Sequence, residues 1–239
     1  MMKVLVIFKW LLVITLLVAA LIFTNDRQAA QRMNLNDIKI KESVHDFVNK
    51  QIVLDYLKEK SIRFDSVLMI NFNKDKLEEI LESHNGIKQA EVFANQKGGV
   101  DILIEQRQAI VRVKSITDDY YLDDFGKRME LSDNYSPKLV VATGYVDNKN
   151  HLEIFEFIKQ INKSDFWSAQ ITQIHFEKNE VFLVPRVGSQ KINIGSFENI
   201  AAKLDNLYQF YKVGMPVKGW QTYTDINLKF SNQVVCVKK

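Results

Sequence analysis

The sequence predicts an α+β protein carried on a single membrane-spanning helix. Three observations predict it. Residues Val4 to Phe23 form an apolar run broken only by Lys9 and Thr15. The next seventy or so residues read strand, helix, helix, strand, strand. The remainder reads as many short strands with two helical stripes among them, the pattern of a mixed sheet with helices on one face.

Twenty apolar residues at about 1.5 Å each span roughly 30 Å, the thickness of a bilayer's hydrocarbon core. Residues 1–3 then form a short tail, 4–23 the transmembrane helix in the lipid bilayer, and 24–34 a polar tether. Lys9 can snorkel to the interface and Trp10 suits the aromatic belt. Lys3 and Lys9 favour a cytoplasmic N-terminus; Arg27 and Arg32 oppose that bias, partly offset by Asp26. A cleaved signal peptide, with Val18 and Ala20 as the small residues before the cut, is the rival reading, and it also sends the bulk of the chain out of the cytoplasm.

Residues 35–107 form the first globular region. Ile38 and Ile40 alternate with charges, as in a strand. Ile52, Val53, Tyr56 and Leu57 share a helical face. Asn73 can cap a second helix that carries Leu77, Ile80 and Leu81, with Gly86 just past its end. Gln89–Phe93 and Val100–Ile104 read as a hairpin around Asn-Gln-Lys-Gly-Gly.

Residues 108–239 form the second. Strands are expected at Ile110–Val113, Tyr120–Asp123, Leu139–Thr143, Ile171–Phe176, Val181–Val184, Lys191–Ile194, Thr224–Phe230 and Gln233–Val237. One helix spans His151–Ile161. A longer one starts at a Ser196 cap, carries Phe197, Ile200, Leu204, Leu207 and Tyr211, and is stopped by Gly214 and Pro216. The last two strands join through Ser231-Asn232. A final strand at a sheet edge leaves backbone groups that can accept another chain's strand.

The chain carries net charge +3 with both signs interspersed, which argues against a nucleic-acid binder. Its one cysteine, Cys236, sits in an apolar strand pattern and reads as a small buried hydrophobe. His45, His84, His151 and His175 show no zinc-ligand spacing, so no metal site is expected. His84 at a helix end suits the dipole as a cation. No phosphate loop, dinucleotide fingerprint or nucleophile elbow is present, so neither a cofactor nor a small-molecule substrate is indicated. Asp118, Asp119, Asp123 and Asp124 could hold a cation or act as an acid–base pair; hairpin ends, with Asp123 making an Asx turn before Gly126, are the simpler reading. Tyr120, Tyr121, Trp167 and Trp220 are core residues or surface anchors.

The chain resembles the bacterial cell-division family FtsQ/DivIB over essentially its whole length. Val100-Asp-Ile-Leu-Ile-Glu-Gln-Arg107 resembles the strand and Glu-Arg-x-Pro junction that close the family's POTRA domain, with Gln106 for the usual Glu and Ala109 where Pro is common. Tyr121-Leu-Asp-Asp-Phe-Gly126 resembles the hairpin that opens its β domain. Ile192-Asn-Ile-Gly195, Asp225-Ile-Asn-Leu-Lys-Phe230 and Gln233-Val-Val-Cys236 resemble its closing segments. The resemblance implies a POTRA domain over 35–107 and a β domain over 108–239. It implies a non-enzymatic divisome scaffold, single-pass in the inner (cytoplasmic) membrane at the division site. Its partners would be FtsB/DivIC-like and FtsL-like proteins, held by strand addition and acting on septal cell-wall synthesis. By position it places partner binding on Tyr223, Ile226, Leu228, Phe230, Val234, Val235 and Val237. An anchored POTRA protein of envelope secretion or outer-membrane assembly is the alternative, and an exported hydrolase built on Asp123 and Asp124 a more distant one.

Overall fold

The computed structural model describes residues 2–178 and 180–239, with the side chains of residues 2–7, 26 and 28 outside that description. Met1 of the expected tail and the side-chain charges of Lys3 and Asp26 therefore lie outside the described residues. The chain divides into two compact units, residues 1–106 and 107–239.

The first unit begins with α1, Met2–Ala29. Its window Phe8–Asn25 is long and apolar enough to cross a membrane, and none of it is buried against protein. The expected tether does not form. The helix runs on through Ala29, because no Gly or Pro interrupts residues 24–29. The residues after it are clamped by backbone hydrogen bonds: Met69 N–H to Gln31 O at 2.8 Å, Met33 N–H to Val67 O at 2.9 Å and Asn34 N–H to Gly98 O at 2.8 Å.

Strand β1 (Asn34–Ile40) follows, then α2 (Lys50–Glu59), α3 (Lys74–Glu82), β2 (Ile87–Ala94) and β3 (Gly99–Gln106). Asn49 and Asn73 cap the helices, each side chain accepting a backbone N–H from the first turn. The sheet order is β1-β3-β2, with β1 parallel and β2 antiparallel to β3. Val53 and Leu57 of α2 and Leu77 and Leu81 of α3 are buried, as are Ile38, Val92, Ile102 and Ile104 of the sheet. Helix α3 packs on β2 and α2 on β1, as the periodicities require. Gln106 is buried, and its Oε1 accepts the Val48 N–H at 2.7 Å. His84 corrects the dipole reading: its Nδ1 accepts the Gly86 N–H at 3.1 Å, a role for a neutral ring, and burial pushes its pKa down.

The second unit is a nine-stranded mixed sheet. Its strands are β4 (Ala109–Ser115), β5 (Asp119–Asp123), β6 (Arg128–Met129), β7 (Val140–Gly144), β8 (Ile171–Glu177), β9 (Glu180–Pro185), β10 (Lys191–Gly195), β11 (Tyr223–Asn227) and β12 (Val235–Lys238). Their order is β12-β11-β10-β9-β8-β7-β4-β5-β6. Between β7 and β8 lie α4 (His151–Ile161) and α5 (Asp165–Gln170). The sequence reading misses α5, a short helix whose Ser164 cap accepts the Trp167 N–H. Ile154, Phe157, Ile158 and Ile161 of α4 pack into one core with sheet residues such as Val113, Ile174 and Leu183.

The long helix departs from expectation at both ends. It starts as α6 (Ile200–Gln209) behind Asn199, whose φ of 53° is left-handed, and Ser196 makes no cap. Phe197 packs on Phe157 and Phe176, with ring centroids 5.3 and 6.0 Å apart, and this inward turn delays the helix. Nor do Gly214 and Pro216 end it. A π-turn spans Phe210–Gly214, with Met215 N–H bonded back to Phe210 O, and α7 (Met215–Lys218) continues to Gly219. The wider turn gives the proline ring, which has no N–H to donate, a place near the start of the next segment. Met215 stays fully buried.

The crossover through α6 and α7 returns the chain beside β10. Strand β11 lies parallel to β10, and β12 turns back antiparallel to β11. Both strands are shorter than expected, because residues 228–234 form the loop between them, with Asn232 left-handed at φ 58°.

Candidate partner-docking edge

Strand β12 ends the sheet, so one of its sides is unpaired. Its register with β11 sets Asp225 opposite Val237, Ile226 opposite Cys236 and Asn227 opposite Val235. The Leu228 N–H bonds Asn193 O of β10 at 2.8 Å. Backbone groups alternate sides along a strand. Leu228 and Ile226 therefore point toward β10, and Asn227 and Asp225 toward β12. Val235 and Val237 accordingly pair with β11, and the N–H and C=O of Cys236 and Lys238 point to the open side.

Other sheet edges are shorter or carry side chains on some of their outward N–H groups. On β2, Glu78 Oε1 accepts the Val92 N–H at 2.8 Å and Glu82 Oε1 the Ala90 N–H at 3.1 Å. On β1, Asp37 Oδ1 accepts the Ile38 N–H at 2.8 Å while bonded to Lys50. Strand β6 has two residues. Among the described residues no side chain covers the outward groups of Cys236 and Lys238.

The residues expected to bind a partner divide by burial. Val235, Val237 and Phe230 are exposed, at 41, 56 and 47%. Tyr223 and Val234 are half-buried against the core, as is Cys236. Ile226 and Leu228 are buried at 0 and 2% exposure, so their side chains serve the core and cannot meet a partner. Burial also raises the Cys236 thiol pKa, which keeps the thiol protonated and a poor nucleophile.

A polar network fixes the loop that leads into β12, and the sequence gives no periodic sign of it. Lys229 Nζ reaches across to Glu180 Oε1 on β9 at 2.5 Å, and Asn193 Nδ2 donates to the other oxygen of Glu180 at 2.9 Å. These bonds hold the Glu180 carboxyl below its ordinary pKa. Gly195, at φ 68°, makes room for the crossing: a Cβ there would meet Lys229 Cγ at 2.8 Å. Beside it, Lys203 Nζ donates to Ile194 O at 2.7 Å and Ser196 O at 2.8 Å, tying α6 to the end of β10.

The acidic pairs serve structure. Asp123 is 2% exposed; it takes two bonds from Arg107, at 2.9 and 2.7 Å, and accepts the N–H groups of Phe125 and Lys127. This is the expected Asx turn with a buried ion pair added. Asp119 pairs with Arg112 at 2.7 Å, which holds its carboxyl below the usual range. Among the described residues no three His, Cys, Asp or Glu side chains group as metal ligands. Tyr120, Tyr121 and Trp167 are buried and Trp220 packs on the core, so none is a surface anchor.

Two family models match. One, described as FtsQ/DivIB, C-terminal related, covers residues 108–237. The other, described as a POTRA-like domain, covers residues 34–105. The solved major extracytoplasmic domain of the cell-division protein DivIB (trans isomer) from Geobacillus stearothermophilus is similar at 15% identity and a TM-score of 0.33, over 46% of this chain and 92% of that one. No curated protein matches the chain.

Proposed function

The chain belongs to the FtsQ/DivIB, C-terminal related family, and from that membership we propose that it is a non-enzymatic scaffold of the cell-division machinery. Helix α1 anchors it in the cytoplasmic membrane with its N-terminus inside, and both globular units work on the outer side at the division site. FtsB/DivIC-like and FtsL-like proteins dock by adding a strand along β12, and the assembly helps control septal cell-wall synthesis. The carrying observation is the open edge at Cys236 and Lys238, in a molecule whose β1 and β2 edges are partly stoppered by side chains. Val235, Val237 and Phe230 supply apolar contacts beside it, and Tyr223 and Val234 support it from the core side.

The test is capture of the FtsB/DivIC-like and FtsL-like partners from membrane extract by the full chain and by Cys236→Pro. The Cys236 N–H faces the open side, so proline there removes a donor that only a partner would use, a position where edge strands tolerate it. Loss of capture with unchanged near-UV circular dichroism is the expected result. Normal capture by the folded variant would exclude this edge.

A further inference from the structure

The joint between α1 and the POTRA-like unit carries an unassigned surface. Between α2 and α3 the chain forms two short 3-10 turns, Phe64–Ser66 and Met69–Asn71. Ile70 is 70% exposed and Leu68 37%. Segment 62–72 holds one acidic residue, Asp65. It is bound directly to the residues that follow α1: Met69 N–H to Gln31 O, Met33 N–H to Val67 O, a bridge pairing Arg32 with Leu68, and Arg32 Nη1 to Asp65 O at 3.3 Å.

Helix length sets the depth of that joint. The last large apolar residue is Phe23 and α1 continues for six residues to Ala29. Those residues add about 9 Å. One headgroup layer measures ~5–8 Å, since a bilayer is ~40–45 Å overall around a ~30 Å hydrocarbon core. Gln31 to Met33 therefore emerge at the lipid–water boundary, and the 62–72 segment is hydrogen-bonded to them there. Arg27 on α1, Arg32 bridged to Leu68, and Arg63 in the segment itself are all exposed. Exposed apolar side chains accompanied by arginines at this level match an anionic phospholipid surface.

We propose that the 62–72 segment is a second membrane contact, with Leu68 and Ile70 set among the headgroups and Arg27, Arg32 and Arg63 on lipid phosphates. The inference rests on α1 spanning the membrane. The contact fixes the tilt of the POTRA-like unit on the bilayer. The unit then stands on two points, the helix and this segment, and does not swing on a linker.

The test uses the full chain, with Cys236→Ser, in nanodiscs of phosphatidylglycerol and phosphatidylethanolamine. An environment-sensitive fluorophore is attached through Ile70→Cys, Leu16→Cys or Val44→Cys in separate samples. Leu16 lies within the apolar window, and Val44 is 83% exposed beyond the far end of β1. The expected result at position 70 is a blue shift and quenching by headgroup-labelled lipid, weakened when phosphatidylcholine replaces phosphatidylglycerol. Position 16 should be quenched only by lipids labelled deep in the acyl chain, and position 44 by neither. A water-like spectrum at position 70 with position 16 deeply quenched would overturn the second contact and leave the anchor standing. A water-like spectrum at position 16 would overturn the anchor and the contact with it.

Discussion

His84 and Asp123 are polar groups whose cost of burial is met by specific bonds, and each predicts a measurable loss. The His84 ring accepts the Gly86 N–H through Nδ1, and burial lowers its pKa from the ordinary 6.5. The unfolded chain therefore takes up this proton at higher pH than the folded one. Its contribution to stability is complete above the unfolded value and declines as pH falls through it toward the lower folded value. The urea midpoint of the first unit should drop between about pH 8 and about pH 5, and His84→Ala should flatten that slope. Asp123 is the hub of the β5–β6 hairpin, with an Arg107 fork and two backbone donors converging on a side chain 3% exposed. Asp123→Ala strands the guanidinium in a half-dry site and should cost about 3 kcal/mol in denaturant unfolding of the second unit. The sequence shows the Asx turn through Asp123 and Gly126. It does not show Arg107, because a partner sixteen residues away leaves no local pattern.

Elements with strong periodicity were legible, and the ends that tertiary packing sets were not. Helix α4 lies where its stripe put it, and Asn73 caps α3 as its position suggested. The long helix failed at both ends for reasons of tertiary packing: Phe197 is drawn into the core before the helix starts, and a π-turn carries the helix past Pro216. The last strands were legible as strands, but periodicity cannot show which backbone groups face outward. That fact decides how proline substitutions should be read. Val235→Pro removes an N–H that pairs with β11 inside the molecule. It should lower stability by about 3 kcal/mol, whatever its effect on binding. Cys236→Pro should leave the denaturant midpoint close to that of the parent chain. Comparing the two midpoints checks the assignment of the open side independently of any partner.

The chain combines a helix long and apolar enough to cross a membrane, a POTRA-like unit and a FtsQ/DivIB-related unit whose sheet ends in a strand paired on one side only. The site was only partly legible. Ile226 and Leu228 alternate with polar residues as well as any surface stripe would, and only the fold shows that they face inward. Amide hydrogen exchange over residues 233–239 reads whether partners join the sheet through β12. The full chain would be measured alone and with the proposed FtsB/DivIC-like partner. The Cys236 and Lys238 amides should exchange fast in the free chain and become protected in the complex. Cys236 and Lys238 amides that exchange equally fast in a saturated complex would contradict docking through β12.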